Sequence, residues 1–272
     1  MHIVGSFDFI DGKRVFEDSI HSCFGTVVHE ILQSYIKTLY TDGLEKADST
    51  DLKTEFKEKL QKELTEKKVE FTDDLLMEFT IDGENILDEF SKTANRLKHF
   101  PRQKYEFVGV ELPLEMDIRN NVQFVGFVDL ILKDKETGKY KIYDFKTSSN
   151  GWNQYQKEDP AKLNQLILYK AFYSRIFGVP VEKIEVEFFV LKRKLYSGVS
   201  FPQSRLQIIK PNSTKKVLTE TINDFVQFVD NCFNEDGTYN LTGTYLKNPG
   251  KQKKNCKYCP HHKTLCGGKE DK

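Results

Sequence analysis

Gly126-Phe127-Val128-Asp129-Leu130-Ile131-Leu132 and, after a turn, Tyr140-Lys141-Ile142-Tyr143-Asp144-Phe145-Lys146-Thr147 decide the fold. Both runs are rich in β-branched and aromatic residues, and Lys135-Glu136-Thr137-Gly138-Lys139 between them is a turn, so they read as a hairpin. Successive strand residues point to opposite faces, which sets Asp144 and Lys146 side by side and turns Tyr143 and Phe145 away. Asp129 stands fifteen residues before Asp144, and pairing through the turn brings its carboxylate alongside. Two carboxylates held together repel unless a cation lies between them. Oxygen donors of this kind suit Mg2+ or Mn2+, and Lys146 adds a fixed positive charge. Taken alone, an Asp-x-Lys on a strand is also the pattern of an ordinary surface ion pair.

Outward from this hairpin the pattern is α/β. Upstream lies a third strand, 106–117, with the hairpin strands at 123–133 and 140–146. Downstream come a helix at 160–177, strands at 182–193 and 205–210, and a helix at 213–231. Before all of these, Phe24, Val27, Val28, Ile31, Leu32, Tyr35, Ile36 and Leu39 recur at helical spacing. Two further helices, 51–66 and 73–99, make a helical insertion over 41–100. An opening segment turns at Asp11-Gly12. The expectation is one domain over 1–272: a mixed central sheet flanked by helices, its core at 101–210, and a tail at 246–272.

Composition narrows the class. With 38% apolar and 30% charged residues and a mean hydropathy of -0.55, the 272-residue chain reads as a soluble globular protein. No apolar run is long enough to span a bilayer and the N-terminus lacks signal-peptide regions, so an intracellular location is expected, without a membrane partner. The 41 basic and 41 acidic residues cancel, leaving no global field to advertise a polyanionic partner. Locally, residues 247–272 carry eight lysines against two acids, either a basic patch or a solvated terminus.

Phe24-Gly-Thr-Val-Val-His29-Glu, Gly126-Phe-Val-Asp129, Asp144-Phe-Lys146-Thr and Gln165-Leu-Ile-Leu-Tyr169 follow one another in the order of the motifs of RecB-type nucleases. These nucleases are a branch of the PD-(D/E)XK superfamily, and the resemblance runs from about residue 24 to 173. It implies a restriction-endonuclease-like core and a metal-dependent DNA nuclease, expected to act as an exonuclease. His29, Asp129 and Asp144 correspond to its metal ligands for Mg2+ or Mn2+, and Lys146 to its catalytic lysine. Gln165 and Tyr169, on one helical face, correspond to residues used near the scissile phosphate. Glu111 stands where many relatives carry an acid on the preceding strand. Without the resemblance, His29 reads as a core histidine, and Gln165 and Tyr169 as packing residues. The implied partners are DNA, single-stranded or with free ends, and a helicase or recombination partner, in the cytoplasm or at the nucleoid. The rival expectation is a catalytically silent DNA-binding or assembly module.

Cys256-Lys-Tyr-Cys259, with Cys266 seven positions on, clusters three of the five cysteines. In a reduced compartment such a cluster is expected to hold metal rather than form disulfides. Similar tails in RecB-type nucleases, including CRISPR adaptation and helicase-associated enzymes, give three ligands to a [4Fe-4S] cluster. This chain departs from that pattern, its one upstream candidate being Cys23, six residues before His29; either the chain begins late, without a ligand-bearing segment, or the fourth ligand comes from elsewhere. Cys23, on the helix of His29, reads better as a buried small residue, as does Cys232. The alternative is structural Zn2+ with His261 or His262 as the fourth ligand.

Overall fold

The computed structural model describes residues 18–242, together with the backbone of two short paired strands, β1 (Phe9–Ile10) and β2 (Lys13–Arg14). The turn expected at Asp11-Gly12 and the tail cysteines Cys256, Cys259 and Cys266 lie outside the described residues.

The sheet has five strands in the order β3 (Tyr105–Arg119), β4 (Val122–Asp134), β5 (Tyr140–Ser148), β6 (Ile184–Lys192) and β7 (Leu206–Ile209). Every pairing is antiparallel except β5 with β6, which is parallel. A parallel neighbour needs a crossover, supplied here by helix α7 (Pro160–Phe177). The hairpin turn between β4 and β5 forms as the sequence dictates. Gly138 adopts φ 66°, which a residue without Cβ tolerates, and Asp134 Oδ1 accepts from the amides of Glu136 and Thr137 at 3.0 and 2.8 Å.

Each face of the sheet is covered by its own helices. On one side lies α1 (Ile20–Thr41), whose Ser19 cap exchanges hydrogen bonds with Ser22. With it pack α2 (Leu44–Asp48), α3 (Leu52–Glu66), α4 (Asp73–Ser91) and α5 (Thr93–His99). Phe56, Leu60, Phe79, Ile86 and Phe90 of the 41–100 segment share a single core with α1 and the sheet, and Phe90 sits edge-on to Phe189 of β6 at 5.9 Å. On the other side, α7 and α8 (Lys215–Cys232) close a second core, with Phe225 edge-on to Phe172. α6 (Gln154–Lys157) is a single turn after β5.

Three expectations need correction. The helix expected over 73–99 is two, because Lys92 takes extended backbone (φ -53°, ψ 134°). The break turns Arg96 inward, where Nη1 donates to Tyr35 and Asp48 at 3.0 Å each. The strand expected from 182 begins at Ile184, after a 3-10 turn at Val181–Lys183. Neither α2 nor α6 was anticipated. Each is a single short turn, too brief for apolar periodicity to register. The core strands and long helices fall where expected within a few residues, and the mixed sheet flanked by helices is the architecture foreseen.

β3 forms one edge of the sheet among the described residues. It is irregular, with register shifts between Phe107 and Gly109 and between Asp117 and Arg119, and with Glu111 at φ 47°. Val110 packs into the core under α1, whereas Leu112 and Leu114 pack into the core under α7. The left-handed residue is thus where the strand changes which face it buries.

Candidate active site

The site lies where β4 and β5 run past the middle of α1. The β4–β5 ladder runs to Leu130↔Tyr143, and Asp129 and Asp144 follow immediately at its end. Asp129 Oδ2 accepts a hydrogen bond from the Phe145 amide at 2.6 Å and lies 3.7 Å from His29 Nδ1. Lys146 Nζ lies 2.7 Å from Asp144 Oδ2. Lys146 is the one group among the described residues that meets this buried carboxylate oxygen, as a charged contact.

The four groups differ in access. The side chains of Asp144 and Asp129 are 3% and 12% exposed, while those of His29 and Lys146 keep 24% and 32%. The acids form the floor, and the histidine and lysine the wall that meets solvent. Burial sets the protonation. It pushes Asp129 up to about 7, against the opposing charge of Lys146, and Asp144 up to about 6. It lowers His29 to about 4, so the imidazole stays neutral and able to donate a lone pair. For Lys146 burial works against the charge, but Asp144, Asp129 and Tyr169 together outweigh it and the pKa is raised.

These donors suit a divalent cation. Two carboxylates and a neutral imidazole converge, with His29 Nδ1 3.7 Å from Asp129 Oδ2. Among the described residues, however, no trio of His, Cys, Asp and Glu side chains stands in ready-made coordination geometry. The Lys146 ammonium lies against the Asp144 oxygen and serves as the counter-charge.

Gln165 and Tyr169 point to the same place from α7. Gln165 Nε2 donates to the Tyr169 hydroxyl at 3.1 Å, and the charges of Asp144, Lys146 and Asp129 all act on that hydroxyl. The approach depends on Gly126, where a Cβ would stand 2.8 Å from the Tyr169 ring. Glu111 also belongs to the cluster. It pairs opposite Asp129 by register (Val110↔Leu130, Leu112↔Val128), and its charge acts on both Asp129 and His29. Its carboxylate is held by Gln33, which donates at 2.5 Å. Sequence reading passed over Gln33. The available signal was a polar residue, now 5% exposed, one turn after His29 on the apolar face of α1. Cys23 is a free cysteine with no exposed surface, packed in the core.

A sequence model of the PD-(D/E)XK nuclease superfamily matches residues 8–267, and the chain belongs to that superfamily. The crystal structure of a protein from Eubacterium rectale provisionally named an exonuclease overlaps with a TM-score of 0.43 at 12% identity. The overlap covers 75% of this chain and 65% of that one, so this chain spans a little under two thirds of its length. No curated protein matches the chain in sequence.

Proposed function

We propose that this protein is a metal-dependent DNA nuclease of the RecB-type branch, one domain over 1–272, that removes nucleotides from strand ends. The observation that supports this reading is the buried pair Asp129 and Asp144, bracketed by neutral His29 and by Lys146 2.7 Å from Asp144. His29, Asp129 and Asp144 would hold Mg2+ or Mn2+. Bound there, the ion supplies Lewis-acid polarisation of a phosphoryl oxygen and lowers the pKa of an attacking water.

The chain's own groups do the rest. The Phe145 amide fixes Asp129, so the carboxylate needs no reorganisation when charge develops. Lys146, partly exposed, orients the attacking water and offsets negative charge on the phosphorane-like transition state. The Tyr169 hydroxyl, positioned by Gln165, is a donor for a non-bridging phosphate oxygen. Cys256, Cys259 and Cys266 are read as ligands of a structural centre, [4Fe-4S] ahead of Zn2+. The protein would work inside the cell, at the nucleoid or in the cytoplasm, alongside a helicase or recombination partner. Among the described residues no helix is long and apolar enough to cross a membrane.

The test is direct. End-labelled single- and double-stranded DNA should be degraded with Mg2+ or Mn2+ and left intact in EDTA. Lys146→Ala should lose turnover while keeping its fold and most of its DNA affinity, because one ammonium is a small part of phosphate binding. Undiminished cutting in EDTA, or wild-type turnover in Lys146→Ala, would overturn the reading.

A further inference from the structure

The end of the sheet away from the candidate active site holds a cavity of its own. It lies where the last turn of α1 meets the start of β3 and the turn after β4, with Tyr40, Phe107, Arg102, Gln103 and Lys135 in its wall. Its volume is about 600 Å³, within the ordinary range for small-molecule sites. β4 runs on from Asp129 to Asp134 before it reaches this end, about 17 Å at roughly 3.3 Å per residue. The cavity is therefore separate from the carboxylates.

Backbone contacts fix the wall. The Pro101 carbonyl accepts from the amides of Lys104 and Tyr105 at 3.0 Å each, and the Lys135 amide donates to the Lys104 carbonyl at 2.9 Å. Lys135 Nζ donates to the Arg102 carbonyl at 2.7 Å. The side chains of Arg102 and Gln103 take no part, and neither makes a hydrogen bond or an ion pair among the described residues. The rest of the wall is aromatic. Tyr40 and Phe107 lie nearly parallel, 26° apart with ring centres at 6.0 Å. The Tyr40 hydroxyl is buried without a hydrogen-bond partner among the described residues, and the charge of Arg102 acts on it. Burying a donor unpaired is costly, and folded proteins seldom do so without a reason.

We propose that this cavity binds a free nucleotide, its phosphate taken by Arg102 and Lys135 and its base laid against Tyr40 and Phe107. A guanidinium fork matches phosphate oxygens, and an ammonium adds charge. Flat rings stack on a base whatever its identity. Gln103, with Glu106 beside it in the wall, offers the donors and acceptors that base edges and sugar hydroxyls require. The ligand also supplies the acceptor that the Tyr40 hydroxyl lacks. A wholly apolar ligand would leave the guanidinium, the amide and the phenol unpaired, and inorganic phosphate would leave the rings uncovered. This binding does not rest on the nuclease reading.

Titration calorimetry of the full chain with deoxyadenosine 5′-monophosphate, without added divalent metal, tests the proposal. One site per chain is expected. Arg102→Met should weaken it by about tenfold or more, with Arg102→Lys recovering part of the loss. Deoxyadenosine and inorganic phosphate, the two halves of the ligand, should each bind about tenfold or more weakly than the whole. Tyr40→Phe keeps the ring and removes only the unpaired hydroxyl. It should bind the nucleotide more weakly while the free protein melts no lower than wild type. Lys146→Ala should bind the nucleotide as wild type does. No binding, or inorganic phosphate binding as well as the nucleotide, overturns the proposal. So does a loss in Lys146→Ala with Arg102→Met unaffected, which would put the nucleotide at the carboxylates, or a Tyr40→Phe protein that melts lower and binds normally, which would make the hydroxyl a structural group.

Discussion

At the residue scale the site is governed by desolvation. Asp129 and Asp144 sit where water would ordinarily stabilise their charge, and their protons are retained to about pH 7 and about pH 6. A cation must displace those protons, so its affinity is linked to pH. The sign follows from the raised values: below about 6 protons win, and above about 7 the carboxylates are free. His29, lowered to about 4, contributes no competing proton across that range. Calorimetric titration with Mn2+ should show affinity falling by about tenfold or more from pH 8 to pH 5.5, with proton release that scales with buffer ionisation enthalpy. Affinity independent of pH, without proton release, would show both acids already ionised in the free protein.

At the element scale the helices over the α1 side of the sheet depend on close approach. α3 crosses α4 at Gly83, where a Cβ would lie 2.2 Å from the Phe56 ring. Gly to Ala within a helix ordinarily stabilises by up to about 1 kcal/mol. Overpacking a filled core costs about 1–3 kcal/mol, and Phe56, fully buried, has little room to yield. Gly83→Ala should therefore lower the thermal midpoint by several degrees in calorimetry, with DNA cleavage at 25 °C little changed; a raised midpoint would show that the helices can separate at low cost. The elements most legible in the sequence were those with a long period to read. The alternation of β5 set Asp144 beside Lys146 and the hairpin turn brought Asp129 alongside, whereas the apolar stripe of α1 gave only the helix, and His29 was singled out by the resemblance to RecB-type motifs. What could not be read were contacts joining distant positions. Gln33 and Glu111 lie 78 residues apart, and nothing near Glu111 announces a left-handed residue inside a strand. The break at Lys92 was hidden for the same reason, since the partners of the Arg96 it turns inward, Tyr35 and Asp48, belong to other helices.

At the scale of the whole molecule, the cysteine tail, which lies outside the described residues, is proposed to hold a structural metal. A metal held by Cys256, Cys259 and Cys266 would contribute on the order of 10 kcal/mol if structural zinc is the guide. Anaerobically purified protein should be brown with iron, or colourless with about one zinc per chain. Cys256→Ser should then melt lower than Cys232→Ser; no bound metal and equal melting would make the cluster incidental. The irregular edge strand has its own consequence at this scale. β3, 15 residues long, would offer a second copy of the chain an extensive unpaired ladder. Its two register shifts, the reversed backbone at Glu111 and the missing N–H of Pro113 interrupt that ladder at intervals. The distortion that brings Glu111 to the site therefore also protects the protein against edge-to-edge aggregation.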